Sequence, residues 1–285
     1  MVRSDCGGGF IYILNSPNSD YIKIGGSAYP PAKRIKEINS SEPYKSMGQW
    51  TLYDFRQVTD WRKVEYDLHY VFRDKQVTHI ANQKELFELA PHAASQRLSL
   101  IVPEMLVGKP KVDRMFTFSN FAEYIIKLFR LTGLLHWLDS QGAWTFTLFP
   151  TTNGGRYFTL NINSHEVAFA TLAKGDSKSM FMLYADLLLL DFSHTSKWLK
   201  RNGGRFSKSH YASALPHGTS VYFTGDFETA LEFLSLPGVR RALLAYWIES
   251  LLIMSDNNKM SLYSKVHNYN AVAEIKKRIE FAGQA

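Results

Sequence analysis

The stretch GGGFIYILNSPNSDYIKIGG, residues 7–26, consists of two short apolar runs on either side of a polar linker. Residues 10–14 and 21–24 are rich in β-branched and aromatic side chains, which favour strands. The linker contains Asn, Pro, Ser and Asp, which are typical of turns. The pattern therefore predicts an antiparallel hairpin at the start of an α+β domain.

The residues after the hairpin extend this pattern to β-β-α-β-α. Pro31 suits the first turn of a helix, because its missing N–H costs little there. Residues 50–58 are typical of a third strand, and Asp60 is typical of a helix N-cap, followed by apolar residues at helical spacing. We therefore expect residues 1–102 to form a small module with a three-stranded antiparallel sheet.

The best candidate for a linker is residues 103–114, PEMLVGKPKVDR, which contain two prolines and a glycine. Residues 115–285 mix helical and strand patterns and predict a larger α+β domain. Residues 1–108 hold 13 Lys/Arg against 12 Asp/Glu, whereas residues 109–285 hold 20 against 14. The basic excess therefore lies in the second part, where it favours a polyanionic partner.

Composition excludes several classes of protein. The single cysteine, Cys6, rules out a disulfide framework and a Cys-rich metal site. The histidines show no zinc-ligand spacing, and nucleotide-binding glycine motifs and a G-x-S-x-G motif are absent. The apolar runs are too short or too interrupted to span a bilayer, and the first residues lack the features of a signal peptide. We expect a cytoplasmic protein with no membrane partner.

Glu65 and His69 are four residues apart on the helix that follows Asp60, so they share a face. A carboxylate and an imidazole one turn apart can serve a metal ion and a proton transfer. The alternative interpretation is a solvated helix face with a local hydrogen bond.

Three further residues join this pair. Tyr12 and Lys23 lie in the two strands of the hairpin, where their side chains could reach one surface. A lysine among apolar neighbours needs an anion, an exposed edge or a catalytic task. Arg34 follows on the first helix, and its guanidinium matches a phosphate bidentately.

The order of these residues resembles the motifs of the GIY-YIG endonucleases. Phe10-Ile11-Tyr12 is similar to the first motif, and Lys23-Ile24-Gly25 to the second. The similarity extends over residues 8–90 and is greatest to a phage-related branch with a K-I-G second motif. That branch also has an E-x-x-L-H helix, here EYDLH at residues 65–69, and an E-x-F segment, here beginning at Glu85. Phe10 and Lys23 depart from the glycine and tyrosine that name the family; Gly9 is adjacent to Phe10, and we treat the lysine as a trait of the branch.

The resemblance implies hydrolysis of phosphodiester bonds in DNA by a one-metal mechanism. Glu65 would bind Mg²⁺ or Mn²⁺, and Tyr12 would act as general base on the attacking water. Lys23 and Arg34 would favour the tyrosine phenolate, and Arg34 would also bind the scissile phosphate. His69 would either carry a proton or orient the site.

Two residues are supporting candidates in this interpretation. Gly25 closes the second motif, and Glu85 opens the E-x-F segment. For Glu85 a purely structural role is the alternative.

Residues 110–285 resemble no family that we identify. Within them SKWLKRNGGRFSKSHY, residues 196–211, interleaves basic residues with Trp198, Phe206 and Tyr211. Basic residues near aromatic ones suit phosphate contact and base stacking, and the alternative is a solvated loop. The predicted nucleic-acid-binding residues are Lys197, Lys200, Arg201, Arg205 and Lys208.

The leading hypothesis is a metal-dependent endonuclease acting on DNA, with RNA as an alternative substrate and restriction or phage defence as the setting by analogy. Its second domain would grip or select the nucleic acid. The main alternative is a catalytically inactive nucleic-acid-binding or adaptor protein that keeps the fold, because Lys23 replaces the family tyrosine. A further alternative gives the aromatic-rich faces of the second domain a role as a homodimer interface.

Overall fold

The computed structural model describes residues 8–80, 83–107, 118–137, 142–149, 155–173, 178–208 and 211–281. The chain divides into two units. The first unit comprises Met1–Pro110 and Tyr269–Lys277, and the second comprises Lys111–Asn268 and Arg278–Ala285. Each contains an antiparallel sheet with helices, which confirms the predicted α+β class. Residues 108–114 of the predicted linker lie outside the described residues.

The first unit contains an antiparallel sheet in the order β3-β1-β2-β4. Its strands are β1 (Gly9–Asn15), β2 (Ile22–Ser27), β3 (Thr51–Val58) and β4 (Leu86–Phe87). The sheet thus has four strands where three are predicted. The sequence does not indicate β4, because a strand of two residues is too short to show an alternating pattern. β4 pairs with β2 only at Ile22 and Lys23.

The helices of the first unit cover both faces of this sheet. They are α1 (Pro31–Ser40), α2 (Trp61–Val71) and α3 (Pro91–Leu98). Asp60 caps α2 as predicted, accepting a hydrogen bond from the Lys63 N–H at 3.0 Å. Side chains alternate along β1, so Tyr12 packs in the core that includes α1, whereas Ile11 and Ile13 pack in the core that includes α2 and α3.

The second unit contains an antiparallel sheet in the order β5-β6-β7-β8-β10-β9. Its strands are β5 (Trp144–Leu148), β6 (Arg156–Ile162), β7 (His165–Thr171), β8 (Ser179–Asp186), β9 (Arg205–Lys208) and β10 (Gly218–Gly225). Its helices are α4 (Ser119–Thr132), α5 (Ser193–Arg201), α6 (Phe227–Ser235) and α7 (Val239–Asp256). Gly238, in a left-handed conformation with φ 86°, lies between α6 and α7 and directly precedes α7.

The last helix, α8 (Tyr269–Phe281), contributes its residues up to Lys277 to the first unit. The Asn270 side chain accepts a hydrogen bond from the Gln57 N–H and donates one to the Gln57 carbonyl, at 2.9 and 3.1 Å. The Tyr269 ring meets the Phe10 ring edge-on at a centroid distance of 4.9 Å. Residues from the far end of the chain therefore complete the core of the first unit.

None of the helices in the described ranges has the length and apolar character that crossing a membrane requires.

Candidate functional site

Tyr12, Lys23 and Gly25 lie on one face of the β1–β2 hairpin. Tyr12 pairs directly with Gly25, and Leu14 pairs with Lys23, and residues opposite each other in an antiparallel pair share a face. A Cβ atom at Gly25 would lie 2.8 Å from Tyr12 Oη and 3.0 Å from its Cζ. The glycine of the second motif therefore makes room for the tyrosine of the first.

Arg34 reaches Tyr12 from α1. Its guanidinium is near enough to the Tyr12 hydroxyl to lower the pKa of that hydroxyl, and its Nη1 donates a hydrogen bond to Glu37 Oε2 at 2.7 Å. The Arg34 side chain is 43% exposed, whereas Tyr12 is 1% exposed. The guanidinium thus connects a buried hydroxyl to the solvent. Sequence reasoning missed Glu37, for which the three-residue spacing from Arg34 on a helix is the available signal.

The pKa of Tyr12 departs from the expectation. Burial raises it to about 12, the Arg34 charge opposes the rise, and the Glu65 charge adds to it. Arg34 does favour the phenolate, as predicted, but burial outweighs it. Tyr12 is therefore a neutral phenol at neutral pH.

Lys23 is fully buried, at 0% exposure, and is held by two side chains. Its Nζ forms an ion pair with Glu85 and donates a hydrogen bond to Tyr44 Oη at 3.1 Å. Burial lowers the pKa of Lys23, the Arg34 charge lowers it further, and the Glu65 charge raises it. Contact with the Glu85 carboxylate also opposes the lowering. The anion that a lysine in an apolar strand needs is therefore Glu85.

The segment with Glu85 reaches Lys23 because β4 pairs with β2. Leu86 is the direct partner of Lys23, and the Glu85 carbonyl accepts a hydrogen bond from the Ile24 N–H at 2.9 Å. Tyr44, whose hydroxyl in turn donates a hydrogen bond to Gln83, is a partner of Lys23 that sequence reasoning missed. It precedes a single turn of 3-10 helix, where periodicity gives no signal.

Glu65 and His69 bind the part of β2 that β4 leaves unpaired. Glu65 Oε1 accepts a hydrogen bond from the Gly26 N–H at 2.7 Å, and His69 Nε2 donates to the Ile24 carbonyl at 2.9 Å. Four residues of helix rise about 6 Å, and two residues of strand rise about 6.7 Å. The E-x-x-x-H spacing therefore matches alternate residues of a strand. The hydrogen bonds that the structure gives this pair go to β2, not to the helix itself.

Four of the predicted residues form one electrostatic cluster. The Glu65 charge raises the pKa of both Tyr12 and Lys23, and the Arg34 charge lowers both. His69 borders the cluster through its bond to Ile24. The cluster lies at the open edge of β2, with Arg34 and Glu65 coming from helices on opposite faces of the sheet.

Glu65 is the candidate metal ligand, with Oε1 taken by the Gly26 amide. In the described part of the chain, His, Cys, Asp and Glu side chains form no group of three or more that could hold a metal ion. Mg²⁺ differs from zinc in that it keeps several waters and binds through one or two carboxylates together with substrate phosphates. A donor set of this kind fits Mg²⁺ and does not fit a zinc site.

Residues 9–102 match the family model of the T5orf172 domain. This domain is associated with phages and occurs in the context of nucleases. The match therefore indicates that the first unit is nuclease-related. No curated protein and no solved structure matches the chain. The T5orf172 match covers all the candidate residues of the first unit, namely Tyr12, Lys23, Gly25, Arg34, Glu65, His69 and Glu85. The GIY-YIG assignment of their motifs stays a prediction.

Outside the T5orf172 match, the basic residues predicted to bind nucleic acid do not form a single surface. Lys197, Lys200 and Arg201 are exposed at helical spacing on α5. Arg205 and Lys208 are both exposed on β9, but they are three positions apart in the strand, so they point to opposite faces of the sheet. Arg201 also pairs with Glu232 at 2.8 Å, and Arg205 lies over the Tyr222 ring at 5.7 Å.

The predicted stacking role of Trp198 is wrong. This side chain is 4% exposed and packs against the rings of Phe223 and Phe233, with both centroids at 5.2 Å. Tyr211 is partly exposed, but its ring stacks on His165 and its hydroxyl donates to Glu166 at 3.2 Å. Alternation of basic and aromatic letters did not distinguish core aromatics from surface ones.

Proposed function

We propose that this protein is a metal-dependent endonuclease whose T5orf172-matching domain hydrolyses phosphodiester bonds in DNA. The observation that carries the proposal is the convergence of Tyr12, Arg34 and Glu65 at the open edge of β2, inside the matched residues. A phosphate-binding cation, a water-orienting hydroxyl and a metal-binding carboxylate are the groups that this hydrolysis requires. The phage-associated character of the domain supports restriction or phage defence as the setting.

Arg34 binds the scissile phosphate in this proposal. Its guanidinium has five N–H donors, and Nη1 donates to Glu37. The exposed side of the group is available to an incoming phosphate oxygen, and its permanent charge would stabilise the charge that develops in the transition state.

Glu65 holds the cation, Mg²⁺ or Mn²⁺. The Gly26 N–H fixes one carboxylate oxygen at 2.7 Å and so orients the other. When bound, the cation would supply positive charge for the leaving 3′ oxygen.

Tyr12 orients the attacking water, and its phenolate form accepts the proton that the water loses. Its pKa of about 12 makes the resting group a neutral phenol, so the phenol must first release its own proton to solvent, which requires this pKa to fall. Arg34 already lowers it, and neutralising the Glu65 charge would act in the same direction, because that charge raises it.

Lys23 and His69 are positioning residues. Lys23 is committed to Glu85 and Tyr44, so it holds β2, β4 and the Tyr44 loop together. His69 uses Nε2 to bind the Ile24 carbonyl, which favours the orienting role over proton transfer.

A cleavage assay tests the proposal. Supercoiled plasmid is incubated with the full-length protein in Mg²⁺, Mn²⁺ or EDTA, alongside the variants Glu65→Gln and Glu88→Gln. Glutamine keeps an acceptor for the Gly26 N–H but loses the charge, so we expect cleavage to fall about a hundredfold or more. Glu88→Gln, an exposed change outside the cluster, is the matched control. Equal cleavage by wild type and Glu65→Gln would contradict the proposal.

The second candidate function is an inactive nucleic-acid-binding adaptor. The elevated pKa of Tyr12 and the commitment of Lys23 to Glu85 favour it. DNA binding in EDTA, without cleavage in either metal by any of these proteins, would support this candidate.

A further inference from the structure

Three tyrosines stand out on the surface of the first unit. Within its described residues, the exposed Phe, Trp and Tyr side chains are Tyr29, Tyr66 and Tyr70, at 59%, 69% and 59%. The remaining Phe, Trp and Tyr side chains of this unit are buried or half-buried. The exposed rings are therefore concentrated rather than scattered.

All three tyrosines lie on the segments that build the candidate site. Tyr66 and Tyr70 follow Glu65 and His69 directly on α2. Tyr29 lies between β2 and α1, three residues after Gly26, whose N–H binds Glu65. Three residues of chain span at most about 11 Å, which bounds the distance from Tyr29 to that end of β2.

Helical spacing aligns the α2 tyrosines. Residues 62, 66 and 70 are four apart, so Arg62, Tyr66 and Tyr70 form one stripe along the exposed side of the helix. This stripe runs beside the one that contains Glu65 and His69. Both rings are therefore on the helix that carries Glu65 and His69, turned by one residue toward the solvent.

Cationic side chains lie over aromatic rings on both of these segments. Lys33 Nζ lies 4.3 Å from the centroid of the Tyr29 ring, and Arg73 Cζ lies 4.5 Å from that of Tyr70. Arg62 Cζ lies 4.4 Å from the centroid of Trp61, at the start of the same stripe. We call Tyr29, Tyr66, Tyr70, Lys33, Arg62 and Arg73 the tyrosine surface.

The charge of the tyrosine surface is positive. Among neighbouring carboxylates, Asp67 is paired with Lys63 at 3.1 Å, and Asp74 lies 3.8 Å from Arg73. Rings that can stack with bases, next to cations that can contact phosphates, are the features by which proteins bind single-stranded nucleic acid.

We infer that the tyrosine surface binds an unpaired stretch of nucleic acid, stacking its bases on the three rings and leading the strand to Arg34 and Glu65. The inference rests on the proposed function for where the strand is cut, but binding itself requires no catalysis. A duplex hides its base faces within the helical stack, so unpaired bases are what these rings can take.

Binding of fluorescent oligonucleotides to the full-length protein in EDTA tests this inference. The probes are a poly-dT strand and a mixed-sequence duplex, followed by fluorescence anisotropy. Tyr29→Ala, Tyr66→Ala and Tyr70→Ala are expected to weaken poly-dT binding on the order of tenfold each. The corresponding Phe variants, which keep the ring, should bind like wild type. Tyr263→Ala, a change of an exposed tyrosine in the second unit, is the matched control.

Three results would overturn the inference: a wild-type protein that does not bind poly-dT, Ala variants that bind it as wild type does, or equal losses on strand and duplex. The second result would favour a protein as the partner of the tyrosine surface. The plasmid assay separates this inference from the proposed function. If cleavage is absent while the Ala variants lose poly-dT binding, the inference about the tyrosine surface is supported and the proposed endonuclease activity is contradicted.

Discussion

Tyr12 and Gly25 face each other across the β1–β2 hairpin, and the tyrosine ring occupies the space that a side chain at position 25 would need. The relationship links the two sequence motifs of the hairpin by packing. It also explains how the hydroxyl comes to lie near Arg34 of α1, since the missing side chain at position 25 leaves the space that the ring occupies.

The first prediction concerns Gly25→Ala. Its Cβ would lie 2.8 Å from Tyr12 Oη, so the ring must move, and we expect a loss of about 1–3 kcal/mol in the free energy of unfolding. Displacing the hydroxyl from Arg34 should also abolish cleavage. Urea unfolding of wild type, Gly25→Ala, Tyr12→Phe and the double variant measures the coupling. Additive losses would show that the Tyr12 hydroxyl and a side chain at position 25 do not compete for this space.

The second prediction concerns the Lys23–Glu85 pair. Glu85→Gln leaves a buried ammonium without its carboxylate, which costs about 3–5 kcal/mol of stability when the charge is retained. Lys23→Met removes the charge and keeps the volume, and Glu85 is 34% exposed and can be solvated, so this variant should be the more stable of the two.

The pH dependence of Glu85→Gln follows from the same contact. Burial lowers the pKa of Lys23 to about 7, against an ordinary lysine value of about 10.4 in the unfolded chain. Between these values the unfolded state binds more protons, so the stability of Glu85→Gln should rise as pH increases from 7 to 10. Thermal melts at several pH values measure this against Lys23→Met, which lacks the titrating group. Parallel profiles for the two variants would contradict the prediction.

The third prediction distinguishes the two roles of His69. Nε2 donates to the Ile24 carbonyl at 2.9 Å, and a glutamine amide at this position has a donor of similar reach. If His69 positions α2 on β2, His69→Gln should keep most of the cleavage rate, whereas His69→Ala should lose it along with about 1–2 kcal/mol of stability. Cleavage rates measured from pH 5 to 8 complete the test. Equal inactivity of both variants would assign His69 to proton transfer.

The sequence predicts the elements of the first unit better than the contacts between them. Local sequence determines the hairpin, the N-cap at Asp60 and the buried face of α2, because the residues that form each of them are close together in the chain. Glu85 meets Lys23 through a strand of two residues, which is too short for a pattern. The pKa of Tyr12 depends on burial by residues from several elements, so the nearby charges alone gave the wrong direction.

The second unit shows the same limit in its basic segment. The spacing indicates that one helix face carries Lys197, Lys200 and Arg201. The local sequence does not predict that Trp198, which lies between them in the chain, is buried in the core. Whether an aromatic residue faces solvent depends on the sheet beneath α5, which is built from strands before and after it in the chain.

The fourth prediction concerns this basic helix. If the exposed face of α5 contacts DNA phosphates, Lys200→Ala should weaken duplex binding and reduce the slope of log K against log salt by about 0.9. Arg205→Ala removes a charge from β9 that lies over Tyr222, on the sheet face opposite to Lys208, and should leave the slope unchanged. Titrations at several salt concentrations provide the slopes. An equal reduction in both variants would mean that binding responds to net charge and not to the α5 face.

The last prediction concerns α8, whose place in the first unit no local pattern indicates. Asn270 is 5% exposed and binds both backbone groups of Gln57, 213 positions away, and it also donates to the Val107 carbonyl. Asn270→Ala leaves these groups without that partner, so we expect a loss of about 1–3 kcal/mol. Hydrogen exchange should show the Gln57 amide becoming less protected, because its acceptor is removed. Asn120→Ala, which breaks an exposed side-chain hydrogen bond, should change stability by about 0.5 kcal/mol or less. If the Gln57 amide keeps its protection in Asn270→Ala, α8 does not hold β3 through this residue.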